Sequence, residues 1–301
     1  MKRIYKIFVN ILAVAVLAVS VLGLTACGED LRRVKLTVSV YDAEAGKTVE
    51  KTLTVDLYRH LAPDTVDAVL EYIGSGYYND TFFYVMNDYS SQIMVGDLKY
   101  SKNASNADVI SKNYINGILP PPIDGEFERG GTTGSNLTNT EGSVGLWRTW
   151  TATDDKNGSD YRTSTSVDTG RATWFLPTSD LSASYDDWFC VFAQIDLENE
   201  TNSETWSALK SVLSFTDADL YETYTVYYTG TYDSEKVDEN YGLSFNFIES
   251  DDFDADLLGA FEAEGGQLVE YNAYEIKIPF VNKANKANKT VGAKIVSVEL
   301  I

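Results

Sequence analysis

Catalysis needs side chains that carry, give or take charge at a defined spacing, and this sequence offers few such sets. His60 is the only histidine. A histidine-based zinc site or a serine–histidine triad therefore has no parts to be built from, and His60 reads as a partly exposed residue at the turn before a helix. Asp252, Asp254 and Asp256 alternate as in a calcium loop, but the sixth position is Leu257 where that loop needs glycine, so they read as a solvated acidic face. Of the two cysteines, Cys190 lies in the apolar run WFCVFAQI and reads as an inert core thiol. No metal ion or cofactor is expected. The remaining concentration of interest is Gly76–Tyr89, GYYNDTFFYVMNDY, the composition of a buried strand beside an aromatic pocket.

The elements that would position this pocket can be read from periodicity. VKLTVSVY (34–41) and TLTVDLY (52–58) alternate apolar and polar residues and predict a long hairpin through DAEAGKT. HLAPDTVDAVLEYIG predicts a helix, with Pro63 in its first turn, Val66, Val69, Leu70 and Ile73 at helical spacing, and Gly74 and Gly76 as the stop. TFFYVM (81–86), QIMVGD (92–97), EGSVGLWRTW, ATWFLP and WFCVFAQI read as short strands. Residues 98–122 read as a polar loop ending in ILPPPI, whose three prolines favour extended geometry. NSETWSALKSVLSF predicts a second helix capped by Ser203 or Asn202, with Trp206, Leu209 and Leu213 on one face. Residues 214–285 change character, with tyrosine-rich strands TYTVYYTGTY and YGLSFNF and a short acidic helix in DDFDADLLGAFEAEGG; KIVSVELI is the final strand. Many short strands with two isolated helices argue a closed antiparallel barrel or a sandwich.

The chain opens with MKRIYK and an apolar run ending in Leu24-Thr25-Ala26-Cys27. This is a secretory signal and resembles a bacterial lipoprotein signal, in which cleavage frees Cys27 to carry lipid; an uncleaved membrane helix is the alternative. Either reading places the domain outside the cytoplasm, at a membrane surface. Residues 1–26 would be the signal, 27–33 a tether and 34–301 the domain. With Cys27 acylated, Cys190 has no partner, so a hydrophobic core and no disulfide must stabilise the fold. Formal charge is −21 for the whole chain, and loss of Lys2, Arg3 and Lys6 leaves 21 cations against 45 acids, or −24. Such a field repels phosphate backbones, so nucleic acid is not an expected partner; the acidity reads as solubility.

The order hairpin, helix from Ala62-Pro63-Asp64-Thr65-Val66, then Gly76-Tyr77-Tyr78 with Thr81 and Phe82, then Gly96-Asp97, resembles the cyclophilin-type peptidyl-prolyl isomerases. Asp124-Gly125-Glu126-Phe127, Asn136-Leu137, Gly142 to Arg148, Thr173-Trp174-Phe175-Leu176 and Tyr185-Asp186-Asp187 through Val191-Phe192 continue the resemblance, which covers about residues 34–213 and 288–301. It implies a mainly β fold: a closed eight-stranded antiparallel barrel with two capping helices, a peptide groove on its outer face, and residues 214–285 as a β-rich insertion before the last strand.

The chemistry so implied is rotation about an X-Pro bond, whose barrier is roughly 18–20 kcal/mol. Family members hold the proline ring in an apolar pocket and aim an arginine at the imide nitrogen. Tyr84 occupies that arginine position here, and a phenol carries no charge at neutral pH and no guanidinium fork. Losing one preorganised donor costs on the order of 10²- to 10³-fold in rate, so family-level catalysis is not expected to survive. The resemblance places Gln92 beside Tyr84 among the catalytic positions, and Tyr89, Met94, Arg148, Thr173, Phe175, Tyr185 and Phe189 among those that bind substrate. Arg148 and Arg171 are the guanidinium groups closest to the groove, and Arg148 is a candidate to replace the missing charge. Expected partners are proline-containing peptides or unfolded exported proteins, and the membrane through lipid on Cys27. Three functions stand open: an exported, membrane-anchored isomerase acting in protein folding; a non-catalytic cyclophilin-like lipoprotein that binds peptides or proteins; and, third in order, a glycan-binding surface protein.

Overall fold

A computed structural model describes residues 31–86, 91–105, 107–115, 120–127, 137–148, 170–229, 244–250, 274–285 and 287–301. The signal segment, Cys27, Tyr89, Asn136 and the alternating aspartates 252–256 lie outside the described residues. β1 (Leu31–Asp42) and β2 (Lys47–Tyr58) pair without a break from Leu31↔Tyr58 to Asp42↔Lys47. Their alternation directs Val34, Leu36, Val38 and Val40 of β1, and Leu53, Val55 and Leu57 of β2, into one core. Asp42 organises the turn by accepting from the amides of Glu44 and Ala45 at 2.9 and 3.0 Å.

α1 (Pro63–Gly74) starts with proline where no intrahelical partner is needed. Its exposed first amides are satisfied from far along the chain: Asp64 and Thr65 donate to the two carboxylate oxygens of Glu126 at 3.0 and 2.7 Å. The Asp124-Gly125-Glu126-Phe127 segment is therefore a cap for α1. The chain continues through β3 (Val85–Met86), β4 (Gln92–Val95), β5 (Leu98–Lys102), β6 (Asp108–Lys112), β7 (Ser143–Leu146), β8 (Trp174–Pro177), the one-turn α2 (Ser182–Tyr185), β9 (Val191–Gln194) and α3 (Glu200–Val212). It ends with β10 (Tyr221–Thr229), β11 (Ser244–Glu249), β12 (Tyr274–Val281), β13 (Thr290–Val291) and β14 (Ala293–Leu300).

Seven of these strands, in the order β14-β1-β2-β9-β7-β8-β4, form a curled antiparallel sheet, a half-barrel. Its concave side holds the first core, with Val34, Leu53, Val144, Trp174, Phe192 and Ile295 among its members. α3 lies on the hairpin: Asn202 Oδ1 accepts from the Thr54 amide and hydroxyl, both at 2.9 Å, and the Thr205 hydroxyl donates to the Thr52 carbonyl at 2.7 Å. A further sheet runs β11-β10-β12-β13, and β3 pairs with β12 through Ile276↔Met86 and Lys277↔Val85. The segment 81–84 runs between the half-barrel's two edges. Phe83 donates to the Ala293 carbonyl at 3.0 Å, and Tyr84 and Met94 exchange both backbone bonds at 3.0 and 2.8 Å.

Three departures from the sequence reading have physical causes. Residues 98–112, read as loop, contain the β5–β6 hairpin, which is short and polar except for Leu98, Tyr100 and Ile110, and these three are drawn to a second core. α3 is capped by Asn199, whose side chain accepts from the Asn202 amide at 3.2 Å, because Asn202 is spent on the hairpin. β12 was not apparent, since Pro279 interrupts the donor pattern expected of a strand.

Strands β4, β7 and β8 are buried at every residue, in contrast to the alternation of β1 and β2. Both of their faces are therefore covered. Gly145 makes this possible, since a Cβ there would lie 2.2 Å from Phe175 Cζ. Gly145→Ala is expected to lower stability by about 1–3 kcal/mol through overpacking, with part recovered by adding Phe175→Leu; urea midpoints of the single and double variants check this.

Candidate functional site

Of the residues singled out from sequence, Tyr84, Met94, Phe175 and Phe189 come together on the convex side of the half-barrel in a second core, with Tyr185 packed against it. Phe82, Tyr84 and Met86 project from one face of the 81–86 segment and meet Met94 of β4, Phe175 of β8 and Phe189. Leu98 and Ile110 of the β5–β6 hairpin join them, as do Tyr224 and Val226 of β10, Ile276, Ile278 and Phe280 of β12, and Val291 of β13. Met94 and Phe175 are fully buried, and Tyr84 and Phe189 are 2% and 4% exposed.

Around Phe175 the packing is aromatic. Trp147 stacks on Phe189 with centroids 5.2 Å apart and planes 16° from parallel, and Phe175 meets Phe189, Tyr185 and Trp147 edge-on at 5.2, 5.7 and 6.0 Å. Such geometry sets the positive ring edge against a negative face. Trp147 was not anticipated, though it lies within the quoted Gly142–Arg148 segment; its backbone amide donates to the Thr173 carbonyl at 2.9 Å, which brings it beside β8. Thr173 itself is half-buried.

Tyr84 is committed elsewhere than to a ligand. Its hydroxyl donates to Asp97 Oδ1 at 3.0 Å, and Lys112 Nζ donates to Asp97 Oδ2 at 2.7 Å. The Asp97 and Lys112 side chains are 10% and 12% exposed, so this is an ion pair largely removed from water. Gln92 is fully buried and its amide nitrogen contacts the Met94 sulfur at 3.6 Å. Asp97 stands in the quoted Gly96-Asp97 pair, whereas nothing in the sequence signals Lys112.

Arg148 is buried behind Phe189. Its Nε donates to the Trp188 carbonyl at 2.8 Å, and its guanidinium carbon lies 4.9 and 5.4 Å from the ring centres of Phe127 and Phe189. It borders a small recess with Ile123, Glu126, Leu146 and Cys190. Burial pushes the Cys190 thiol up to about 12, against a weaker opposing hydrogen bond from Thr65, so no thiolate is available there near neutral pH. Arg171 donates to the Pro120 carbonyl. His60 is exposed at its turn, edge-on to Tyr58. Among the described residues no group of acids, histidines and cysteines could hold a metal ion.

The second sheet has its own polar fastening. Lys289, 1% exposed, pairs with Glu222, whose Oε2 also accepts from the Tyr224 hydroxyl at 2.7 Å, and the ammonium lies 4.1 Å from the Phe280 ring centre.

The sequence matches the family described as cyclophilin type peptidyl-prolyl cis-trans isomerase/CLD over residues 41–210, more than half of the chain. The chain belongs to the cyclophilin-type peptidyl-prolyl cis-trans isomerase family. Among solved structures, it is similar to a Cryptosporidium parvum cyclophilin type isomerase at 15% identity, covering 58% of this chain and 83% of that one with a TM-score of 0.35. A structure of the same parasite protein in the presence of the dipeptide Ala-Pro gives 16%, 58%, 84% and 0.34. No curated protein matches the sequence.

If the buried pair governs this site, Lys112→Met, which removes one charged donor from Asp97, should cost about 1.5–3 kcal/mol, and Tyr84→Phe about 0.5–1.5 kcal/mol. The two losses should be non-additive in the double variant, since both act on one carboxylate; equilibrium denaturation of all three gives the coupling.

Proposed function

We propose that this protein is an exported, lipid-anchored cyclophilin-family protein in which the fold serves as a protein-binding scaffold and no longer accelerates prolyl isomerisation. The observation that carries the reading is Tyr84. It stands where the family places its arginine, it hydrogen-bonds Asp97, and its neighbours Met94, Phe175 and Phe189 are packed out of water. A transition state whose imide nitrogen gains electron density needs a preorganised cation, and a buried phenol already engaged with a carboxylate does not supply one. Arg148 does not replace it in this arrangement, because Phe189 lies against its guanidinium and Trp188 accepts from it.

Supporting the wider reading is the signal-like start ending in Leu24-Thr25-Ala26-Cys27. Supporting a closed eight-stranded barrel are the backbone bonds by which residues 81–84 join β14 on one side and β4 on the other. The second reading, an exported isomerase acting on proline-containing segments of folding polypeptides, is favoured by the family match over residues 41–210.

A protease-coupled or NMR exchange assay on an Ala-Pro peptide separates the two. The expected result is a rate equal to that of buffer. A rate above buffer that falls on Tyr89→Ala or Met94→Ala would overturn the scaffold reading in favour of catalysis in the groove.

A further inference from the structure

Four large apolar side chains stand exposed among the described residues: Leu31 at 39%, Tyr114 at 43%, Leu300 at 59% and Ile301 at 60%. Three of them share one end of the half-barrel. Leu31 opens β1, Leu300 lies opposite Val34 in the β1–β14 register, and the Ile301 amide donates to the Arg33 carbonyl at 2.9 Å. Leu31 and Leu300 belong to opposite faces of the sheet by alternation, so the apolar surface is a rim and suits end-on contact with a planar surface.

The sequence fixes how far this rim can lie from Cys27. Gly28, Glu29 and Asp30 alone intervene before Leu31, and an extended chain spans at most about 3.3–3.6 Å per residue. Leu31 therefore lies within roughly 14 Å of the Cys27 Cα at full stretch, with Ile301 and Leu300 two and three residues further along β1. Charge does not oppose the approach. Arg33 pairs with Asp56, Lys35 with Glu299 and Arg59 with Asp67, while Arg32 also acts on Asp67 and Asp196 on Arg33. Each of these cations is thus engaged with an acid, in a chain whose formal charge is −21. Glu29 and Asp30 add two further acids in the spacer, so the contact is apolar in origin and not electrostatic.

We infer that this rim rests on the bilayer, with Leu31, Leu300 and Ile301 entering the headgroup boundary and the β1–β2 turn pointing away from the membrane. The inference builds on the reading of Cys27 as the lipidated residue. Three aliphatic side chains are too little surface to hold a protein at a membrane alone, but a tether converts their weak affinity into an intramolecular event and so sets orientation.

The test uses the lipoprotein reconstituted in phosphatidylcholine vesicles, with an environment-sensitive fluorescent amino acid at residue 32 or at residue 45. Residue 32 lies near the start of β1 and residue 45 in the turn beyond its other end, and the ten residue steps from 32 to 42 alone span roughly 33 Å at about 3.3 Å per residue. The expected result is a blue shift and quenching by spin-labelled lipid at residue 32 alone, unchanged in high salt and lost in L31S/L300S/I301S, whose thermal midpoint should match the parent. Equal emission and quenching at residues 32 and 45, or a signal that survives the triple substitution, would overturn it. Intact mass of the Cys27 peptide tests the anchor separately. If that peptide carries no lipid, the anchoring reading fails, and the same fluorescence comparison on protein coupled through Cys27 to a maleimide phospholipid still decides whether the rim prefers the bilayer.

Discussion

Phe175 lies against the bare backbone of Gly145, and Trp147, Tyr185 and Phe189 enclose the rest of its ring. A side chain this size removed from water contributes about 1.5–3 kcal/mol, and its position on the convex side of β8 is what commits that side to packing. Once Phe175 is buried there, Met94 beside it and Tyr84 across the β4 edge need apolar neighbours too. The β5–β6 hairpin, β10 and β12 supply them. The molecule thus has two cores divided by one layer of backbone, where a barrel with an open groove would have one.

That arrangement decides what the Tyr84 side chain does. Its phenol closes a buried network with Asp97 and Lys112, so this residue is part of the framework. Buried ion pairs gain stability only when their remaining bonding capacity is met, and the tyrosine meets one part of it. A fold can keep its topology while its outer surface varies, because topology depends on the inner core.

Periodicity made much of this legible. The alternating residues of β1 and β2 and the helical spacing from Val66 to Ile73 each point to one buried face, and single-face burial is what sequence patterns encode. The extended segment 81–86 was legible from the run TFFYVM. What pattern could not convey was the covering of the second face. QIMV, SVGL and WFLP are continuous apolar runs that fit either a strand at the edge of a groove or one buried on both sides, and the distinction lies in β12, nearly 200 residues away from β3. The role of Glu126 was hidden for a similar reason: its partners are the amides of α1, and a helix end gives no sign of which distant carboxylate will meet it.

The pairing of β1 with β14 joins residues 34–40 to residues 293–300. Synthesis delivers the first of these strands long before the last, so Val34 to Val40 must wait with one edge unpaired while almost the entire polypeptide is made. An unsatisfied strand edge is an aggregation hazard for as long as it lasts. A sheet in which residues 34–40 pair with residues 293–300 is therefore complete only once its two most distant strands have met.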